Sequence, residues 1–162
     1  MNTTQGRPFL SVVSKPYVLV ASRVILGGVL LFAGIVKLPY VDTLIWETEQ
    51  YQILPQILIK PYATALPYVE IVLGLLVLLG IFTRASAAVS GLLTVSFTVA
   101  KLSALVRGLG IDVCPCLGPM IPLFLGPSLA IDFLMLLAAV PLIMVKSQYL
   151  SLTGWLASRH RE

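Results

Sequence analysis

The sequence predicts an all-α integral membrane protein: a bundle of four membrane-crossing helices with an interfacial segment between the first and second. Three observations carry this. The chain has 162 residues, of which 58% are hydrophobic and only 11% charged. That is under half the roughly 25% charged residues of an ordinary soluble domain, too few to cover a water-facing surface, so the solvent is the lipid bilayer. Four apolar stretches approach or exceed the roughly 20 residues that a hydrocarbon core requires. The formal net charge of +4 fits the collection of Lys and Arg at one membrane face. It forms no basic cluster interleaved with aromatics, so nucleic acid is excluded as a partner.

The first helix is expected over 17–38, with Pro16 at its start and Pro39 at its end. The run after Arg7 and Lys15 is too long for a signal-peptide core and lacks a small-residue cleavage site, so it reads as a retained span. Gly27 and Gly34 lie seven apart on one face, where a neighbouring helix can approach closely. The segment 40–66 differs. It mixes Asp42, Glu47, Glu49 and Lys60 with Trp46, Tyr51 and Tyr62, a composition suited to the interface. Pro55, Pro61 and Pro67 are read as breaking up its second half. The second helix is placed at 67–82, with Glu70 in its first turn where the helix dipole favours an anion. Thr83 and Arg84 make the turn to the third helix, 85–106, in which Ala87 and Gly91 form a small-xxx-small pair. The fourth helix is placed at 123–145, and the tail 146–162 is read as an interfacial helix. Leu26-Gly27 to Gly34-Ile35 and Leu73-Gly74 to Gly80-Ile81 look alike, through either duplication or chance among Leu/Gly-rich segments.

Lys and Arg in the flanks set the orientation. Arg7, Lys15, Arg84, Lys146, Arg159 and Arg161 fall on one side, Lys60 and Arg107 on the other. The first side, with both termini, is expected to be cytoplasmic. The loop between the third and fourth helices then faces outward, to a compartment that permits disulfides.

That loop carries the only two cysteines, in Asp112-Val113-Cys114-Pro115-Cys116-Leu117-Gly118-Pro119. A bridge between Cys114 and Cys116 closes a small ring stiffened by Pro115; strain of that kind makes a disulfide labile, as thiol–disulfide exchange needs. A static clip, a pair of free thiols packed as small hydrophobes, lipidation of one thiol, and a two-thiolate site for a soft ion such as Cu(I) compete with it. A four-ligand zinc site is improbable, because the single histidine, His160, falls on the opposite side. Asp112 disfavours a thiolate and Arg107 favours one.

The second signal is a set of charges inside the spans. Lys37, Glu70, Lys101 and Asp132 all fall in the outer half of the bundle, beneath the cysteine loop. Unpaired, they are costly in lipid, so they are expected to face inward and pair, Lys37 with Glu70 and Lys101 with Asp132. Either they form a polar pocket or proton path, or they join helices as ion pairs. Arg23, without an obvious acidic partner, is expected to reach the inner headgroups.

Arg23 and Phe32-Ala33-Gly34 with Lys37 resemble the first helix of DoxX-like membrane proteins. Tyr51-Gln52-Ile53-Leu54-Pro55, Pro67-Tyr68-Val69-Glu70, Gly74, Gly80 and Arg84 resemble the MauE branch, the methylamine-utilisation accessory proteins. In that branch the loop before the last helix reads Asp-Cys-Gly-Cys-Phe-Gly or similar. Here Val113 is inserted, Pro115 replaces Gly and Leu117 replaces Phe. The resemblance implies a bundle similar in plan to the quinone-linked thiol oxidoreductases of the DsbB and vitamin K epoxide reductase kind. It implies Cys114 and Cys116 as a redox pair and Lys37 and Glu70 as positions of a polar core, to which the charge pattern adds Lys101, Asp132 and Arg107. It also implies a thioredoxin-like or other periplasmic redox partner, a place in the bacterial inner membrane and a role in protein maturation. No cofactor motif is visible in the chain, and a quinone enters by analogy alone. The competing expectations are a non-catalytic small subunit of a larger electron-transfer complex, with the cysteines as a clip, and a small transporter built on the buried charges.

Overall fold

The structure is a computed structural model that describes residues 15–108, 113–114 and 123–144. Helix α1 spans Pro16–Lys37 and runs through a 3-10 turn, Leu38–Tyr40, into α2, Val41–Gln50. Helix α3 spans Gln56–Leu79, α4 spans Thr83–Val106 and α5 spans Leu125–Met144. Two short strands, β1 (Val113–Cys114) and β2 (Leu123–Phe124), pair antiparallel just before α5. Four helical stretches are long and apolar enough to cross a membrane. The tails 1–14 and 145–162 and the remainder of the cysteine loop lie outside the described residues.

α1 packs on α3 and α5, α4 packs on α5 and α3, and α2 lies against α3. Glycine sets the α1–α3 distance. A Cβ at Gly34 would lie 2.7 Å from the Pro67 carbonyl oxygen, and one at Gly27 2.9 Å from that of Gly74. This is the close approach expected from the spacing of Gly27 and Gly34, with Gly74 as the partner on α3. The resemblance between the two Leu/Gly runs is therefore partial. Gly27 and Gly74 meet across the contact, but Gly34 packs on Pro67 and Ile71, while Gly80 takes a left-handed conformation (φ 71°) to end α3. At that end Gly80 N–H donates to the Val77 carbonyl and Ile81 N–H to that of Leu76, the paired bonds of a Schellman cap. The Ala87/Gly91 face of α4 meets α5, where Ala139 Cβ lies 3.8 Å from a Cβ built at Gly91. A layer of Leu19, Leu26, Leu30, Val77, Met135 and Leu142 fills the inner part of the bundle. Val24, Ile35, Val72, Leu92, Phe133 and Leu137 point outward, as lipid-facing residues do in a bundle whose solvent is hydrocarbon.

The second helix is longer than its expected 67–82, because α3 begins at Gln56 and runs through Pro61 and Pro67. The interfacial segment 40–66 is correspondingly reduced to α2 and the turn after it. Each proline removes one amide donor, at the Ile57 and Ala63 carbonyls. Breaking the helix in lipid would strand several backbone groups with no water to satisfy them, so continuity wins. α2 has the expected amphipathic character: Leu44 is buried, while Asp42, Trp46 and Glu49 are exposed. Arg23 also departs from expectation. It is buried and turns into the bundle, with Nη2 3.5 Å from Thr83 Oγ1 at the α3–α4 turn. Arg84, beside it, donates from Nε to the Ile143 carbonyl at 3.0 Å and so ties that turn to the end of α5.

Candidate functional site

The buried charges meet as two ion pairs. Lys37 is the last residue of α1, and its Nζ lies 2.6 Å from Glu70 Oε1 on α3. Lys101 Nζ on α4 lies 2.6 Å from Asp132 Oδ2 on α5. All four side chains are at least nine-tenths buried. A lone ion at such depth is expensive, and pairing is what makes the burial tolerable. Secondary contacts hold the geometry. Lys37 Nζ stands 5.4 Å from the centre of the Phe97 ring, within cation–π range. Thr98 Oγ1 lies 3.1 Å from Asp132 Oδ2 and 2.9 Å from the Thr94 carbonyl oxygen. Its single proton serves one of them at a time.

The two lysines also line one cavity of about 260 Å3 between α2, the α2–α3 turn, α3 and α4. Its walls are Tyr51, Tyr62, Phe97 and aliphatic side chains such as Leu44 and Leu66. Burial, then the charges of Glu47 and Asp132, push the Tyr51 phenol up from its usual range, so it stays a neutral hydroxyl. The carboxylates lie deeper. Glu70 and Asp132, with Thr94, line a separate void of about 20 Å3. Glu70 Oε2 is buried without a hydrogen-bond partner among the described residues. The cluster is thus layered, with ammonium groups toward the larger cavity and carboxylates toward the void.

Arg107, expected in this polar core, stands outside it. It is exposed at the end of α4, and Nη1 donates to the carbonyls of Tyr51 and Gln52, at 3.3 Å each. It follows the last turn of a helix ending near the α2–α3 turn, whose carbonyls lack helical donors. Its role is to tie that turn to α4, and its charge is committed there. Of the cysteine pair, the Cys114 backbone belongs to β1, opposite Leu123 of β2. Cys116, Asp112 and Pro115 lie outside the described residues.

A stripe of hydroxyl side chains, not expected from the sequence, runs along α4 in this region. Ser86, Ser90 and Thr94 are buried on α4 and Thr98 is half-buried. Ser90, Thr94 and Thr98 each bond to the carbonyl four residues earlier. The stripe leads up the inward face of α4 toward Lys101. Its four-residue spacing was the available signal, and Ser128 with Asp132 repeats that spacing on α5, both buried.

Four apolar helices, joined by glycine contacts and enclosing two ion pairs at one end, define a small multi-pass membrane protein with a polar chamber. The chain belongs to the MauE family: residues 15–145 match the family described as methylamine utilisation protein MauE. It is thereby a membrane accessory protein of the methylamine-utilisation type. No curated protein and no solved structure matches the chain.

Proposed function

We propose that this chain is a membrane thiol–disulfide oxidoreductase that serves protein maturation, with Cys114 and Cys116 as its redox pair. It acts at the outer face of a bacterial inner membrane on a thioredoxin-like partner, with both chain ends toward the cytoplasm. One observation carries the reading. The β1–β2 bridge holds Cys114 opposite Leu123 at the head of α5, the end of the bundle that also carries both ion pairs and the larger cavity. The most reactive residue type in the chain thus stands at the same end of the bundle as both ion pairs. In the flanks of the spans, Arg7, Lys15, Arg84, Lys146, Arg159 and Arg161 at the opposite end, against Lys60 and Arg107 here, support the orientation.

The chemistry follows from exchange. A partner thiolate attacks the Cys114–Cys116 disulfide and forms a mixed disulfide. The partner's second thiolate resolves it, so the partner leaves oxidised and this chain holds two thiols. Restoring the S–S bond removes two electrons and two protons, which pass to a carrier dissolved in the bilayer.

The test is replacement of both cysteines by Ser. Client proteins in the outer compartment should then accumulate free thiols, while the variant protein stays at its normal level in the membrane. Unchanged disulfide content in the clients would remove the basis for the reading.

A further inference from the structure

We infer that the cavity over Lys37 and Lys101 is a binding site for a neutral, lipid-soluble ring compound with carbonyl oxygens, a quinone in chemical class. This rests on the redox reading for its purpose, since it names the electron carrier, but the binding itself is argued from the cavity alone.

The floor presents hydrogen-bond donors. An ammonium group has three N–H bonds, and among the described residues each lysine makes one hydrogen bond, to its own carboxylate. Donors therefore remain where both lysines line the cavity. The charge balance selects against an anion. Two lysines and two carboxylates sum to zero, and Glu47 stands close enough to interact with the charge on Lys37. An anionic head would add an uncompensated charge in a low-dielectric site, whereas a neutral carbonyl takes the remaining donors without that cost. The walls select the shape. Tyr51, Tyr62 and Phe97 offer flat aromatic surfaces, against which a planar ring packs best. The volume of about 260 Å3 is just below the usual range for pockets that enclose a whole drug-sized ligand. It suits a ring head whose tail lies elsewhere, in the surrounding hydrocarbon.

Reduction at this site balances. The quinone accepts two electrons and two protons and becomes the hydroquinone, as the two thiols lose the same number and close their S–S bond.

The test uses the full-length chain in lipid nanodiscs and a radiolabelled decyl-substituted benzoquinone. Binding should be saturable, and decanoate, which has a similar tail and an anionic head, should not displace it. Ala100 also lines the cavity, so Ala100→Phe should fill it and weaken binding at least tenfold while both ion pairs remain. Lys101→Met with Asp132→Leu removes the donor and its counterion together, and should weaken binding several-fold without unfolding. Unchanged binding in both variants, or displacement by decanoate at equal concentration, overturns the inference. The same measurement with both cysteines replaced by Ser separates the two claims. Binding should persist there, and a bound quinone that never reoxidises the wild-type thiols would count against the redox reading while leaving the site intact.

Discussion

Replacing Glu70 alone by Leu should cost about 3–5 kcal/mol of stability, the usual loss when one partner of a buried ion pair is removed. The reason is what stays behind. Lys37 is 2% exposed and 2.6 Å from Glu70 Oε1; without the carboxylate its ammonium keeps the Phe97 ring, the more distant charge of Glu47 and the solvation penalty of a buried cation. The double variant, Lys37→Met with Glu70→Leu, should recover most of the loss, because apolar side chains of similar volume need neither partner. Unfolding in a graded denaturing-detergent series reads both. If the double variant is as unstable as the single, the cost lies in packing, and the electrostatic account of this pair is wrong.

Gly74→Leu should be similarly disruptive for a different reason. A Cβ at Gly74 would lie 2.8 Å from the Leu31 amide nitrogen and 2.9 Å from the Gly27 carbonyl oxygen. Both are backbone atoms of α1, which cannot rotate aside as a side chain can. The helices must separate, and overpacking of this kind costs about 1–3 kcal/mol or more. Separation would also disturb Lys37 and Glu70, which sit further along the same pair of helices. Gly28 is the control. Nothing lies within 4 Å of a Cβ built there, so Gly28→Ala should be neutral or slightly stabilising through helix propensity. Equal loss in both variants would mean that glycine at 74 is not present for close packing.

The ion pairs were legible in the sequence because the physics leaves few alternatives. Four charges within apolar spans must find partners, and helix positions counted from the loops bring Lys37 level with Glu70 and Lys101 level with Asp132. The glycine face of α1 was legible for the same reason, as a local spacing with a known packing consequence. The start of α3 was not. Pro61 and Pro67 read as punctuation by the rules of soluble helices, and those rules weaken where a broken helix would leave backbone groups in hydrocarbon. Arg107 was misplaced because distance along the chain put it beside the polar core, while the carbonyls of Tyr51 and Gln52 that hold it come from a turn 55 and 56 residues away. The cavity was invisible from sequence, since it arises where α2 folds back against α3 and α4. Two of its aromatic walls, Tyr51 and Tyr62, fall in the segment whose composition suits the interface, and the third, Phe97, lies on α4.

If Cys114 and Cys116 cycle at the outer face, as proposed above, their redox state in native membranes reports it directly. Samples are acid-trapped with the respiratory chain active or inhibited, and the thiols are labelled with a membrane-impermeant maleimide before and after reduction. A cycling pair gives a mixed population that moves toward free thiols when respiration stops, labelled without opening the membrane. A pair that stays fully oxidised under both conditions, or that labels only after the membrane is opened, would contradict it.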